Sequence, residues 1–250
     1  MKNIVSRLVL GGLVSFAALG QEFDFNAGND DGLTRYDPLG GFGIGGTYTF
    51  PGGDTYRIQS ASTTPLTGTV GPGRAGAYLA VSYDSFTASV DLVNWDDNLV
   101  QGFGLLGRAQ EAGLGTSDGY VFFYFPAFQS VAFNRIDNES ATVLASPENP
   151  MVSLDPSQDY RMVFSAHGSQ LFGQIFALND LSTPLVTLTA TDSTYSSGFA
   201  GLLVAGTLMD PTSAGDATFD NFKVIPEPST LALAVLGGGA LFIGARARRR

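Results

Sequence analysis

Apolar residues along the middle of this chain recur at every second position. Phe86, Ala88, Val90 and Leu92 fall on one face of an extended segment, with Thr87, Ser89 and Asp91 on the other. Tyr160, Met162, Phe164 and Ala166 form a second such file. Side chains alternate across a strand, so this spacing predicts strands with one face in a core. Val121 to Phe125 is apolar throughout, the pattern of a strand buried on both faces. Turn-forming clusters separate these runs: Pro51-Gly52-Gly53-Asp54, Gly71-Pro72-Gly73, Ser146-Pro147-Glu148-Asn149-Pro150 and Asp210-Pro211-Thr212. Short strands punctuated in this way predict an all-β, antiparallel two-sheet sandwich. No segment repeats at a fixed period, which argues against a solenoid or propeller. No linker divides residues 21–225, so they are expected to form one domain, and roughly 200 residues suffice for one sizeable core. The chain has no cysteine, which removes disulfide frameworks, cysteine metal sites and cysteine nucleophiles.

Both ends read as targeting segments. Residues 1–20 carry Lys2 and Arg7, then an apolar stretch from Leu8 to Leu19, with small Ala18 and Gly20 ahead of Gln21. This predicts a secretory signal helix cut after Gly20. Residues 226–250 hold Pro226-Glu227-Pro228, an apolar run from Leu231 to Ala245, and Arg246, Arg248, Arg249 and Arg250. The prolines fix their own φ, remove two backbone donors and push Ile225 and Glu227 toward extended geometry. The motif is therefore expected to be a stiff extended peptide that stays out of sheet and helix. An enzyme binds such a peptide at little ordering cost. As a helix the apolar run spans about 22 Å, short against a hydrocarbon core of roughly 30 Å. Gly237, Gly238 and Gly239 weaken it further. A short transmembrane helix over 230–245 is expected, serving as a temporary anchor, with the arginines held cytoplasmic.

Pro226-Glu227-Pro228, the hydrophobic stretch and the Arg-rich end together resemble the PEP-CTERM sorting domain. Substrates of that family are handled by an exosortase, a membrane cysteine transpeptidase of Gram-negative bacteria. The resemblance implies export, a transient anchor, processing near the motif, and delivery to the cell surface or an exopolysaccharide matrix. Its partners would be an exosortase-like enzyme, the membrane through the C-terminal helix, and exopolysaccharide. From Glu22 to Glu227, seven basic residues face all 23 acidic ones, a formal charge of −16 for that part of the chain. Such a surface repels nucleic acid and anionic lipid.

The middle of the chain resembles the concanavalin A-like jelly roll. The resemblance rests on Phe23-Asp24-Phe25, on Trp95 followed by Gly102-Phe103-Gly104-Leu105-Leu106-Gly107-Arg108, on Gly198-Phe199-Ala200-Gly201-Leu202, and on a closing Phe219-Asp220-Asn221-Phe222. It implies a structural calcium where the first and last strands meet, with Asp24 and Asp220 as ligands. Sugar binding uses exposed aromatic rings as flat apolar platforms; Trp95 beside Asp96 and Asp97 is the first candidate, with Tyr36, Tyr83 and Tyr195 near expected loops, although aromatics in sandwiches mostly belong to the core.

Catalytic patterns are weak. Gly115-Thr116-Ser117-Asp118-Gly119 fits G-x-S-x-G, with His167 and Asp155 or Asp159 as partners. A nucleophile elbow needs strand before and helix after the serine, whereas Tyr120 to Phe125 reads as strand. Gly41 to Gly46 and Gly102 to Gly107 fit G-x-G-x-x-G outside any βαβ context. The Glu-x-Asp-x-Glu pattern of jelly-roll glucanases is absent from the chain. The expectation is a non-catalytic exported protein with no catalytic residues. Glycan binding, glycoside hydrolysis and a purely structural role remain in competition.

Overall fold

The computed structural model describes residues 20–63, 71–147, 151–207, 210 and 213–227. Fifteen strands are present among them. The first eight are β1 (Gln21–Phe23), β2 (Thr34–Tyr36), β3 (Thr47–Thr49), β4 (Tyr56–Ser60), β5 (Arg74–Tyr83), β6 (Phe86–Trp95), β7 (Gln101–Ala109) and β8 (Gly119–Phe125). There follow β9 (Ser130–Asp137), β10 (Ser140–Ala145), β11 (Tyr160–His167), β12 (Gln170–Ala177), β13 (Val186–Thr191), β14 (Gly198–Gly206) and β15 (Gly215–Pro226). They build two antiparallel sheets, as the alternation predicts. One is ordered β13-β12-β11-β6-β15-β4-β3, with β1 added against the later part of β15. The other is ordered β10-β9-β8-β7-β14-β5-β2.

The core fills the space between the sheets. Phe86, Ala88, Val90 and Leu92 all face inward from β6, and Tyr160, Met162, Phe164 and Ala166 from β11. They meet Phe103, Phe122 and Phe133 of the opposite sheet, with Phe133 and Phe164 ring centroids 5.1 Å apart. Each fully buried phenylalanine contributes about 1.5–3 kcal/mol. Asp91 departs from its predicted exposure, being 2% accessible on the outer side of β6. Arg161 covers it with two hydrogen bonds of 2.7 and 2.8 Å, and Asn221 Nδ2 donates a third. A buried carboxylate needs such donors to offset its lost hydration.

Arg108 carries a second buried charge, at 1% exposure and with positive φ. Its guanidinium makes four hydrogen bonds to three carbonyls, one on each of three turns. Two bonds reach the Asp84 carbonyl (3.1 and 2.6 Å), one reaches Gly168 (2.6 Å) and one Tyr195 (3.1 Å). Asp84 lies between β5 and β6, Gly168 between β11 and β12, and Tyr195 between β13 and β14. One side chain thus ties turns from both sheets together. Burial pulls its pKa down, opposed by the nearby Tyr120 and Asp84.

The compact unit formed by these strands runs Gly20–Glu227. It takes in the first two residues of the Pro-Glu-Pro motif, contrary to the expectation that the motif stays out of the sheet. Pro226 ends β15 opposite Phe86 of β6. A strand end accepts proline because few ladder bonds depend on its missing N–H. Among the described residues no helix is long and apolar enough to cross a membrane. The expected signal helix, the transmembrane helix over 230–245, Ala18, Pro228, Arg246, Arg248, Arg249 and Arg250 lie outside the described residues.

Candidate functional site

A groove of about 500 Å³ lies across the outer face of the second sheet. Strand periodicity builds it. On β8, Tyr120, Phe122 and Tyr124 enter the core while Val121, Phe123 and Phe125 line the groove. On β14, Ala200, Leu202 and Val204 face inward while Phe199, Leu203 and Ala205 face the groove. The all-apolar run Val121 to Phe125 is therefore buried on both faces, but its second face forms a groove floor. Gly102 makes room for that floor, since a Cβ there would meet the Phe125 ring at 2.4 Å. Tyr78 and Phe199 stack on one wall with centroids 5.0 Å apart. Phe128 and Val143 stand exposed at the rim.

Polar groups gather at the margin. Buried Arg74 donates from Nε to Glu139 Oε1 at 3.0 Å and from its terminal nitrogen to the Pro72 carbonyl at 2.9 Å. Tyr36 Oη and Ser117 Oγ are hydrogen-bonded at 2.7 Å. Burial raises the Tyr36 pKa against the opposing influence of Ser117 and Arg74. Asn134 is 6% exposed, lines the groove, and its Oδ1 has no hydrogen-bond partner among the described residues. A buried acceptor left unpaired is costly, so a donor from a bound molecule has something to gain there. The lining carboxylates are Glu111, Asp118 and Glu139. Glu139 is held by Arg74, and Asp118 accepts the Asn138 N–H at 2.6 Å.

Other residues singled out in the sequence lie elsewhere. Trp95 is not an exposed platform: it is 3% accessible and packs against Phe103, Tyr124 and Tyr160. Its indole N–H is satisfied by Asp97, which lets the ring point into the core. Ser117 Oγ donates to the Gly113 carbonyl at 2.7 Å, while His167 Nε2 sits 3.3 Å from Glu227, so serine and histidine have different partners. Gly102 to Gly107 lie within β7, a strand and not a phosphate loop. Gln21 opens β1 opposite Val224, and Gly20 is exposed beside it. Pairing of Phe23 with Phe222 brings Asp24 toward Asp220. Burial raises the Asp220 pKa, the Asn221 N–H opposes this, and the charges of Asp91, Asp54 and Asp24 raise it further. Among the described residues no three His, Cys, Asp or Glu side chains cluster closely enough to hold a metal by themselves.

Two antiparallel sheets packed face to face form an all-β sandwich with jelly-roll-like neighbours among solved structures. Residues 224–250 match the PEP-CTERM protein-sorting motif. No curated protein matches the chain in sequence. Among solved structures, a prokaryotic β-1,3-1,4-glucanase (lichenase) from a mouse hindgut metagenome has a TM-score of 0.58 at 12% identity, covering 84% of this chain and all of its own. The carbohydrate-binding module CBM66 from Bacillus subtilis has a TM-score of 0.51 at 21% identity, covering 78% of this chain and 96% of its own. Basic winged bean lectin, solved with Tn-antigen, has a TM-score of 0.53 at 11% identity, with 82% and 98% covered. At these identities the likeness is one of fold.

Proposed function

We propose that this is an exported surface or matrix protein, sorted by an exosortase-like enzyme through its C-terminal motif, whose groove binds a neutral polysaccharide without cleaving it. The observation that carries the binding reading is the groove: a long apolar floor with aromatic walls and a few polar groups at its edge. Sugar rings have apolar C–H faces that stack on such walls, while their hydroxyls seek partners such as Asn134 and the Arg74–Glu139 pair. The formal charge of −16 from Glu22 to Glu227 disfavours anionic chains. Similarity to the lichenase raises hydrolysis as an alternative. Hydrolysis needs one carboxyl kept protonated opposite a second one. Glu139 is engaged by Arg74 and Asp118 by the Asn138 N–H, and this supports the non-catalytic reading.

Glycan-array binding by the purified body, residues 21–227, tests the proposal. Tyr78→Ala and Phe128→Ala are each expected to weaken binding about tenfold, the loss of roughly 1.4 kcal/mol of stacking. Trp95→Ala should instead destabilise the core. Binding untouched by both groove variants, or release of shortened sugars, would remove the reading.

We also propose a structural calcium held by Asp24 and Asp220 with backbone carbonyls completing its shell, since calcium accepts mixed oxygen ligands. It would offset the like charges around Asp220. With calcium at ten times its Kd, linkage predicts about 1.4 kcal/mol of stabilisation, or roughly 3 °C in Tm. Asp220→Asn should abolish that rise. An equal Tm with calcium and with chelator would contradict the assignment.

A further inference from the structure

The end of β15 joins the folded body to the sorting motif without a spacer. Val224 is paired on both sides, with Ala88 of β6 and Gln21 of β1. Beyond it, Ile225 and Pro226 continue along β6 opposite Thr87 and Phe86. The Glu227 N–H then donates to the Ser85 carbonyl at 3.0 Å. Its Oε1 accepts from Thr87 Oγ1 at 3.1 Å and lies 3.3 Å from His167 Nε2. Thr87 is itself hydrogen-bonded to Ser165 at 2.7 Å. Glu227 is thus held through both backbone and side chain by β6, the turn before it and the end of β11.

The receiving surface is fixed in advance. Ser85 belongs to the turn whose Asp84 carbonyl Arg108 holds, and His167 adjoins Gly168, which Arg108 also holds. A peptide-processing enzyme must take the backbone of its recognition motif in an extended, unpaired form. The Glu227 N–H and carboxylate are already committed to the body.

We propose that the folded body latches the front of its own sorting motif, and that the processing enzyme captures only the open form. This rests on the sorting function proposed above. The latch involves only a few hydrogen bonds at a strand end, and such ends fray at low free-energy cost. The body therefore slows capture without preventing it. The His167 contact is half exposed, so the backbone bond to Ser85 and the Thr87 contact carry most of the hold.

Amide exchange and processing separate the two parts of the proposal. The chain contains five glutamates, so selective 15N-Glu labelling of the full chain in detergent micelles gives a small set of signals. The Glu227 amide is expected to exchange at least tenfold more slowly than in a free peptide of residues 222–231. Combining Thr87→Val with His167→Ala should speed that exchange at least threefold. The Glu139 amide, bonded to the Ser117 carbonyl at 2.9 Å, should stay protected and so report an intact fold. In pulse–chase experiments in the producing cells, the same double variant should lose its tail at least twofold faster than the parent. A Glu227 amide exchanging at the peptide rate would overturn the latch. An opened variant processed at the parental rate would overturn the gate. Absence of processing in the parent chain would refute the sorting function and the gate with it, while the amide result still decides whether the motif is docked.

Discussion

Arg108→Met is expected to lower body stability by about 3–5 kcal/mol, or roughly 10 °C in Tm. The side chain is almost fully buried, and four hydrogen bonds to backbone carbonyls hold its charge in place. Hydrogen bonds to a charged group contribute about 1.5–3 kcal/mol each before the loss of solvation is subtracted. Methionine fills similar volume but leaves the Asp84, Gly168 and Tyr195 carbonyls without this donor. Lysine should rescue only part of the loss, because one ammonium cannot span the positions that the planar guanidinium fork reaches. Thermal melting of the three proteins checks this ranking. A methionine variant within 2 °C of the parent would show that the turns hold themselves. Because Arg108 also braces the Glu227 dock, the same variant should expose the motif.

Replacing Arg246, Arg248, Arg249 and Arg250 with glutamate is expected to reduce tail processing at least tenfold. Positive residues next to a membrane segment set its orientation, and each is worth about 1 kcal/mol at an anionic cytoplasmic surface. Four reversals therefore oppose the expected topology by several kcal/mol and place the motif away from its enzyme. Lysine at the same four positions keeps the charge and should preserve processing. Mass spectrometry of the C-terminus in cell and medium fractions gives the readout. Unchanged processing of the glutamate variant would separate sorting from charge.

The strands were legible where one side meets a core and the other meets water. β6 and β11 show that alternation, and all eight apolar residues marked on them face inward. The groove was not legible for the same physical reason. Val121 and Phe123 line a sheltered concave surface, so their composition matches that of a doubly buried strand. The useful signal was Gly102 of β7, where a Cβ would meet the Phe125 ring at 2.4 Å. Trp95 misled because Asp96, Asp97 and Asn98 mark the following turn, and the ring belongs to the strand before it. Proline rules correctly predicted extended backbone at Pro226. They do not say whether an extended segment meets a neighbouring strand, which here depends on β6 reaching back to Ser85.

β15 lies between β6 on one side and β4 and β1 on the other, although it is the last strand of the body in chain order. Lys223 on it bonds Glu22 at 2.9 Å across nearly the whole length of the body. A chain whose final body residues have yet to emerge from a secretion channel lacks the piece that unites its first sheet. Loop closure over such a separation also makes this the slow pairing. Completion of the first sheet therefore waits for the residues that lead directly into the motif.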